Sequence, residues 1–372
     1  MKVSYKWIQS FFDTDALPSV EEVEQKLMFH AYEIEGVEEV HGDFVIDIDV
    51  LPNRAADSLS HRGIAREIST LFEIPMRRDP LRDEIEILLE ADSMEVTLSG
   101  KDSCSYYVAA HIKGVEVKES PDWLKKALET IGQKSINNVV DATNYVLFEL
   151  GRPTHIFDAR KFEGDVPGVG TRLAKKGEKI ILLGGDEVEL TDSMTLIIDT
   201  NSDEPLAVGG IKGGVSAEVD ENTTDVIIEV ANFHPTQTRL TSQALKLRTD
   251  ASTRFENNMA DELADYGAVA VVGLILKVAG GTLSGYRSSG KINKGNTEIT
   301  VTSKRVSKLL GAEISESEIE NILTRLQFKY FLDKGEFKVT APFERRDIKL
   351  PEDVIEEIGR VYGYENIESQ QL

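Results

Sequence analysis

The pattern of apolar and polar residues predicts three helices and one half-buried strand in the first 84 residues. Apolar positions at helical spacing predict helices over residues 5–12 and 60–72. A further helix is predicted to begin after Ser19, because that serine and Glu22 have the spacing of a capping box. Residues 43–51 alternate apolar side chains with aspartates, which predicts a strand with one buried face. Residues 74–84, with two prolines and several charges, are predicted to end this first domain (residues 1–84) as a linker.

The central part of the chain mixes strands and helices without a regular alternation between them. This order favours an α+β fold over a doubly wound parallel sheet. The predicted strands are 94–98, 105–112, 179–183, 195–198 and 225–230, and the predicted helices are 121–131 and 260–278. Residues 288–296, rich in Ser, Gly and Asn, are predicted to be a second linker, so that the central domain spans residues 87–286.

The last part, residues 297–367, has clear local signals for short helices. Helices are predicted over 303–310, after a second capping-box sequence that begins at Ser315, and over 352–362. One strand is predicted at 337–340. Three helices beside a short strand are typical of a winged-helix or helix-turn-helix-like domain. The sequence therefore predicts a multidomain α+β protein.

Composition narrows the class of protein. The chain has 372 residues, more than one hydrophobic core usually holds, with 42 Lys+Arg against 65 Asp+Glu and a net charge of −23. A protein that binds nucleic acid by itself is usually basic, so any such role must rest on a local patch or on a partner. The single Cys104 excludes an internal disulfide. The N-terminus lacks a signal-peptide pattern, and the longest apolar run, 267–276, is half the length of a membrane span. We therefore expect a soluble, cytoplasmic protein.

Three features of the central part are candidates for a site, and each has a structural alternative. The sequence LAVGGIKGG at residues 206–214 has two glycine pairs that could let the backbone approach a ligand, or could form a tight turn between strands. Glu229 lies in an apolar run, either as a buried carboxylate or on the solvent side of an edge strand. His155 and Thr249 lie in polar segments, where a structural role is the commoner one for a lone histidine or a threonine that forms a turn.

An acidic set near the end of the chain could bind a metal ion. Asp353, Glu356 and Glu357 share one face of a predicted helix, and Asp347 precedes them. Like charges at these spacings destabilise a helix, and a hard cation such as Mg²⁺ would reverse that effect. The alternative is a solvated acidic face that neighbouring arginines offset. The sequence contains no complete nucleophilic triad, zinc motif or Walker motif, so the residues alone do not identify a reaction.

Several long motifs resemble the beta subunit of bacterial phenylalanyl-tRNA synthetase. They occur in the order of that family and cover most of the chain. The motifs are PNRAAD (52–57), NVVDATNYVLFELGRPTHIFD (138–158), LAVGGIKGG (206–214), LRTDASTRFE (247–256) and DVIEEIGRVYGYENI (353–367). Two departures stand out. The family inserts an oligonucleotide-binding barrel where this chain is predicted to have only a short connection, residues 37–43, and the family continues past the last motif into a C-terminal half. The resemblance therefore indicates a short form of that subunit.

The resemblance implies that the central domain edits, by hydrolysing tyrosine wrongly attached to tRNA(Phe). By match to the family, the catalytic positions are His155, Glu229, Thr249 and Ala251, and the substrate-binding positions are Lys134, Asn144, Gly210 and Gly213. Glu229 would bind the tyrosine hydroxyl, and the family often has arginine where this chain has Lys134. The magnesium positions, shared with the alpha subunit, are Asp347, Asp353, Glu356 and Glu357.

The resemblance also implies partners, and two other functions remain open. In the family the alpha subunit uses ATP to charge tRNA(Phe), and a heterotetramer of the two kinds of subunit is expected. The first alternative is a non-catalytic scaffold or a truncated RNA-binding fragment. The second is a helix-turn-helix binder of nucleic acid built on residues 297–367, which the glutamates around its middle helix disfavour.

Overall fold

The computed structural model describes residues 1–85, 94–98, 103–293 and 298–367. The helices of this part are α1 (Tyr5–Gln9), α2 (Val20–His30), α3 (Ala55–Ser58), α4 (His61–Phe72), α5 (Asp122–Thr130), α6 (Asn138–Leu150), α7 (Pro235–Leu245), α8 (Asp250–Phe255), α9 (Leu263–Ala279), α10 (Ser303–Leu310), α11 (Glu316–Arg325) and α12 (Pro351–Tyr362). Its strands are β1 (Lys2–Ser4), β2 (Glu33–Val40), β3 (Asp43–Asp49), β4 (Glu95–Leu98), β5 (Cys104–Lys113), β6 (His155–Asp158), β7 (Gly168–Leu173), β8 (Lys179–Ile181), β9 (Glu187–Glu189), β10 (Thr195–Asp199), β11 (Pro205–Val208), β12 (Lys212–Gly213), β13 (Asp225–Phe233), β14 (Thr282–Gly290), β15 (Ile299–Thr302), β16 (Lys329–Asp333) and β17 (Glu336–Thr340).

The chain divides into two compact units. The first combines residues 1–79 with the segment from residue 294 onward, and the second is formed by residues 80–293. The segments predicted as first and third domains thus belong to one unit, while the three-domain division itself stays a prediction. Helices and antiparallel strands occur in both units, which agrees with the predicted α+β class. Within the described residues, the structure contains no helix long and apolar enough to span a bilayer.

A short hairpin replaces the predicted connection at residues 37–43. Strand β2 runs to Val40 and pairs with β3, and the two strands are joined by His41 and Gly42 alone. Both residues have positive φ, 52° and 70°, as a two-residue hairpin turn requires. The sequence did not predict β2 because its apolar residues do not alternate, and the register shifts between Ile34 and Gly36. A two-residue turn leaves no room for an inserted barrel at this position.

Buried ion pairs hold the two chain segments of the first unit together. Glu67 of α4 accepts hydrogen bonds from Arg54 (Nη2 to Oε2, 2.9 Å) and from Arg360 of α12. Arg360 also pairs with Glu357, which Arg345 contacts in turn (Nη1 to Oε2, 2.6 Å). These five side chains are each less than a tenth exposed. Buried charges of this kind are costly unless each has its partner, so the network fixes how α4 and α12 meet.

The second unit is built on two sheets that flank the candidate site. One has the strand order β14-β5-β13-β6, with antiparallel neighbours, and the other the order β12-β11-β10-β7-β4. Helix α9 packs on β5 and β13, and α6 packs on α9 and β6. Strand β14 continues to Gly290, so the predicted linker 288–296 begins three residues too early, and its residues 294–296 lie outside the described part.

Helix α6 was not predicted, although its sequence carries one of the longest motifs. Ten of its 13 residues are buried, so it has no narrow apolar stripe for the periodicity to reveal. Its ends carry ordinary signals. The Asn137 side chain accepts a hydrogen bond from the Val140 N–H, and Gly151 ends the helix with φ of 77°. The chain then leads directly to β6 and the candidate site.

We expect Glu67→Gln to destabilise the first unit by about 3 kcal/mol at pH 7, because it removes the carboxylate that buried Arg54 and Arg360 share and leaves them only Asp57 and Glu357 as partners. Burial alone would raise the pKa of Glu67, but the charges of Arg360 and Arg54 lower it to about 2. A carboxylate with a lowered pKa stabilises the fold above its unfolded value of 4.5 and loses this effect as the pH falls toward 2. The difference between wild type and variant in urea denaturation should therefore shrink over that range.

The matched control for this experiment is Glu38→Gln. Glu38 pairs with Lys2 on the surface, where both side chains are about half exposed. This variant should unfold at nearly the wild-type urea concentration at every pH. If Glu67→Gln behaves as this control does, the buried network does not stabilise the unit.

Candidate active site

The register of the four-stranded sheet places Glu229 beside His155. Strand β13 lies between β5 and β6, and Glu229 is directly opposite Ala109 on one side and His155 on the other. Residues directly opposite each other in an antiparallel pair have their side chains on the same face. Two residues 74 positions apart in sequence thus become neighbours on one surface. The interpretation of Glu229 as a solvent-facing residue of an edge strand is wrong, because its strand is internal to the sheet.

A small cavity of about 70 Å³ lies against this face of the sheet. Most of its walls are apolar or backbone. The lining residues are Pro153, Thr154, His155, Ile197, Ala207, Val208, Gly210, Ile211, Lys212, Gly213, Glu229, Phe233, Ala251 and Phe255. Five predicted site residues, from four separate segments, are therefore brought together here. A cavity of about 150 Å³ can hold benzene, so this one is smaller than a closed cavity known to accept an aromatic ring.

Glu229 is a buried carboxylate without a charged partner in contact. The residue is 5% exposed, and within the described residues its Oε2 has no hydrogen-bond partner. Burial raises the pKa of Glu229 to about 8, and the charge of Arg152 opposes this rise. A buried oxygen without a partner is a group that a ligand hydroxyl or a water molecule can satisfy.

His155 is a neutral imidazole at physiological pH. Burial lowers the pKa of His155 to about 4. Its ring packs edge-on against Phe157 (4.6 Å between ring centroids) and lies directly over Gly213. A Cβ atom on Gly213 would lie 2.5 Å from His155 Cε1, which is too close for two carbon atoms. The absence of a side chain at Gly213 therefore sets the position of the imidazole.

The glycine-rich segment 206–214 is a tight turn between strands and also forms part of the cavity wall. It forms the tight turn between β11 and β12, with Gly210 at φ of 72°, and the same turn lines the cavity. Thr249 fastens this turn to α8. Its hydroxyl donates to the Ile211 carbonyl (3.0 Å) and accepts from the Ser252 N–H at the start of the helix (3.0 Å). Thr249 thereby places Ala251, in the first turn of α8, at the cavity wall.

Two predicted substrate-binding residues do not line the cavity. Lys134 is exposed in the segment between α5 and α6, and Asn144 is half-buried on α6. Both belong to the second unit. Their roles in binding the tRNA end stay predictions.

The acidic set at the end of the chain does not fit a magnesium ion. Asp347 and Glu357 both pair with Arg345, and Arg360 adds a second cation to Glu357. Burial would raise the pKa of Glu357, yet these two arginines hold it well below its usual value. The Asp353 carboxylate accepts the backbone N–H groups of Lys349 and Leu350 at the start of α12, and Glu356 is exposed. Within the described ranges, no three His, Cys, Asp or Glu side chains are grouped to hold a metal ion.

Two polar residues of the site were not singled out from the sequence. Arg152 is fully buried, and one of its nitrogens donates to the Ala231 carbonyl in β13. Its Nε and Nη1 have no partner among the described residues, and burial lowers the pKa of Arg152 to about 10, which leaves it charged at pH 7. Thr154 lines the cavity. Their position in the motif GRPTHIFD beside His155 was the one available signal.

We expect Gly213→Ala to displace the His155 ring, because the new methyl group overlaps it. The displaced imidazole should become better hydrated, so its pKa should rise by one or more units from about 4 toward 6.5. An NMR titration of the ring Cε1–H signal measures this change. Gly273→Ala in α9 is the control, since nothing lies within 4 Å of the added carbon. An unchanged His155 pKa in Gly213→Ala would show that the glycine does not position the ring.

Comparison with known domain families identifies two parts of the chain. Residues 103–280 match the B3/4 domain, and residues 299–364 match the tRNA synthetase B5 domain. The cavity lies within the first match. In the fold comparison, the chain is similar to an N-terminal fragment of the phenylalanyl-tRNA synthetase beta subunit from Pyrococcus horikoshii, with a TM-score of 0.54, 19% identity, and 98% and 99% of the two chains covered. At this identity the likeness supports the fold alone.

Curated relatives named phenylalanine–tRNA ligase beta subunit match along most of this chain. The protein from Rhodopirellula baltica is 35% identical over 99% of this chain and 53% of its own length. Those from Halalkalibacterium halodurans and Aquifex aeolicus are 38% and 37% identical, over 87% and 91% of this chain and 40% and 44% of their own lengths. The chain thus spans about half the length of these relatives. With its B3/4 and B5 domains, it belongs to the family of the phenylalanine–tRNA ligase beta subunit.

Proposed function

We propose that the second unit hydrolyses tyrosine from mischarged tRNA(Phe), as part of a beta-type subunit of phenylalanine–tRNA ligase. The single observation that carries this proposal is Glu229. It is a buried carboxylate with an unsatisfied oxygen, at the wall of a small and largely apolar cavity. Such a group favours a ligand that carries a hydroxyl over one that lacks it.

The need for such a site is physical. A synthetic site that accepts phenylalanine can reject the isostere with one added hydroxyl only by a factor of roughly 10². A second site with the opposite preference removes the error. Phenylalanine in this cavity would leave Glu229 unpaired, whereas tyrosine supplies the missing hydrogen bond. Discrimination then comes from the cost of an unsatisfied buried oxygen.

The reaction requires only water and the mischarged ester. The oxygen of a water molecule adds to the ester carbonyl carbon, and the bond between that carbon and the ribose oxygen breaks. The proton lost by the water ends on the ribose oxygen, so tyrosine and intact tRNA are released. Neutral His155 can accept a hydrogen bond from the water, and Thr249, which does not line the cavity itself, positions Ala251 at its wall. Orientation of the two reactants, helped by the neighbouring ribose hydroxyl, supplies most of the rate.

Synthesis would be the task of an alpha-subunit partner. That subunit would bind ATP with Mg²⁺ and charge tRNA(Phe) in the cytoplasm, with two copies of each subunit in a heterotetramer. The acidic set of this chain contributes no magnesium site by itself, since Asp347 and Glu357 are paired with arginine. Because the chain carries a net charge of −23, we expect its affinity for tRNA to be weak until the partner places the acceptor end.

Deacylation of two matched substrates tests the proposal. The full chain, with and without an alpha subunit, should hydrolyse tyrosyl-tRNA(Phe) at least tenfold faster than phenylalanyl-tRNA(Phe). Glu229→Ala should erase most of this preference, because no carboxylate remains to be left unpaired. Glu187→Ala, an exposed glutamate in β9 of the same unit, is the matched control and should retain the preference. Equal rates for the two substrates, at the level of the uncatalysed reaction, would refute the proposal.

A second candidate is a non-catalytic scaffold built from the same domains. The observation that favours it is that Asp347 and Glu357 are paired with arginine and so serve the fold rather than a ligand. A scaffold would bind an alpha subunit or tRNA(Phe), and would hydrolyse neither aminoacyl ester above background. Co-purification with an alpha subunit together with absent deacylation would support this function over editing.

A further inference from the structure

Two lining residues of the cavity have a buried polar atom without a hydrogen-bond partner in the part of the chain that the structure describes. Among the residues that line it, these atoms are Thr154 Oγ1 and Glu229 Oε2. Buried hydroxyls in folded proteins nearly always have a hydrogen-bond partner. Arg152 and Tyr107 also have unpartnered buried atoms, but neither residue lines the cavity. Thr154 is therefore the residue whose missing partner a ligand in this cavity can supply.

Thr154 adjoins the residue that lies opposite Glu229 in the sheet. Strand β6 begins at His155, the residue directly opposite Glu229, and Thr154 is the residue just before it. Both residues line the same cavity of about 70 Å³. A ligand that enters this cavity therefore meets both residues.

We propose that Thr154 is a second specificity-determining residue, whose hydroxyl binds the same phenolic oxygen of the tyrosyl substrate as Glu229 does. This inference rests on the proposed editing function. A phenol donates one hydrogen bond and accepts others. With ionised Glu229, the phenol donates to the carboxylate and accepts from Thr154.

The threonine hydroxyl also suits the other protonation state of Glu229. Because burial raises the pKa of Glu229 to about 8, its carboxyl group is largely protonated at pH 7 when no ligand is bound. A protonated Glu229 would donate to the phenolic oxygen, and the phenol would then need an acceptor, which Thr154 Oγ1 provides. The other charged or titratable groups facing this region are His155 in β6, Lys212 in β12, Cys104 and Tyr107 in β5, and Arg152. Phenylalanine would leave both Thr154 and Glu229 unsatisfied.

Thr154→Val tests this inference, because valine has the shape of threonine without its hydroxyl. In the full chain we expect the preference for tyrosyl-tRNA(Phe) over phenylalanyl-tRNA(Phe) to fall about threefold to tenfold, the range of one hydrogen bond. Hydrolysis of phenylalanyl-tRNA(Phe) should not fall. Thr154→Ser keeps the hydroxyl and is the control that should retain most of the preference. A wild-type preference in Thr154→Val would overturn the inference and leave the editing function standing.

Binding of non-hydrolysable analogues separates the two proposals. Adenosine carrying a tyrosyl or a phenylalanyl amide in place of the ester should bind wild type with a preference for tyrosyl, measured by calorimetry. Thr154→Val should reduce this preference by the same factor as in hydrolysis. If wild type shows no preference in either assay, both the editing function and this inference fail.

A double mutant tests whether one oxygen serves both residues. Because each change removes a bond to the same phenolic group, the losses from Thr154→Val and Glu229→Ala should combine less than additively. Strictly additive losses would overturn the shared contact. A wild-type fold, verified by denaturation, is required of each variant.

Discussion

The removal of Glu229 from water is the constraint on which the proposed chemistry depends. An internal strand holds the residue at 5% exposure, so the carboxyl group has little water to bind. Burial raises the pKa of Glu229 to about 8. The positive charge of Arg152 opposes this rise, but Glu229 Oε2 has no hydrogen-bond partner among the described residues. A carboxylate paired with arginine would be more stable, but it would no longer distinguish a ligand with a hydroxyl from one without it.

The first unit uses the same residue types in the opposite way. Glu67 and Glu357 are as deeply buried as Glu229, yet arginines contact both of them and lower the pKa of each. These pairs join segments that are far apart in sequence, and they leave no oxygen free for a metal ion. The comparison shows why the number of acidic residues in a motif does not establish a metal site. The nearest cations decide whether a carboxylate binds a ligand or holds the fold together.

The glycine-rich turn between β11 and β12 and the helix-capping residue Thr249 connect the separate segments of the candidate site. The turn between β11 and β12 approaches the His155 ring so closely that a methyl group at Gly213 would overlap it. Thr249 ties this same turn to α8 while capping that helix, so one hydroxyl serves both the local and the tertiary structure. The glycine-rich segment is therefore a tight turn, and Thr249 does form a local turn, as the structural interpretations had it. Both segments nevertheless belong to the candidate site.

The sequence by itself determined the elements whose signals are local. The capping box at Ser19, the amphipathic helices α4 and α10, and the alternating strand β3 all form as predicted, because neighbouring residues supply their hydrogen bonds and apolar faces. Its motifs also indicated the family. The buried helix α6 and the irregular strand β2 escaped prediction because neither has a clear period. Only the tertiary structure decided that Glu229 is internal, that His155 lies opposite it, and that Lys134 and Asn144 lie away from the cavity. Burial and strand register depend on residues distant in sequence, so no local pattern contains them.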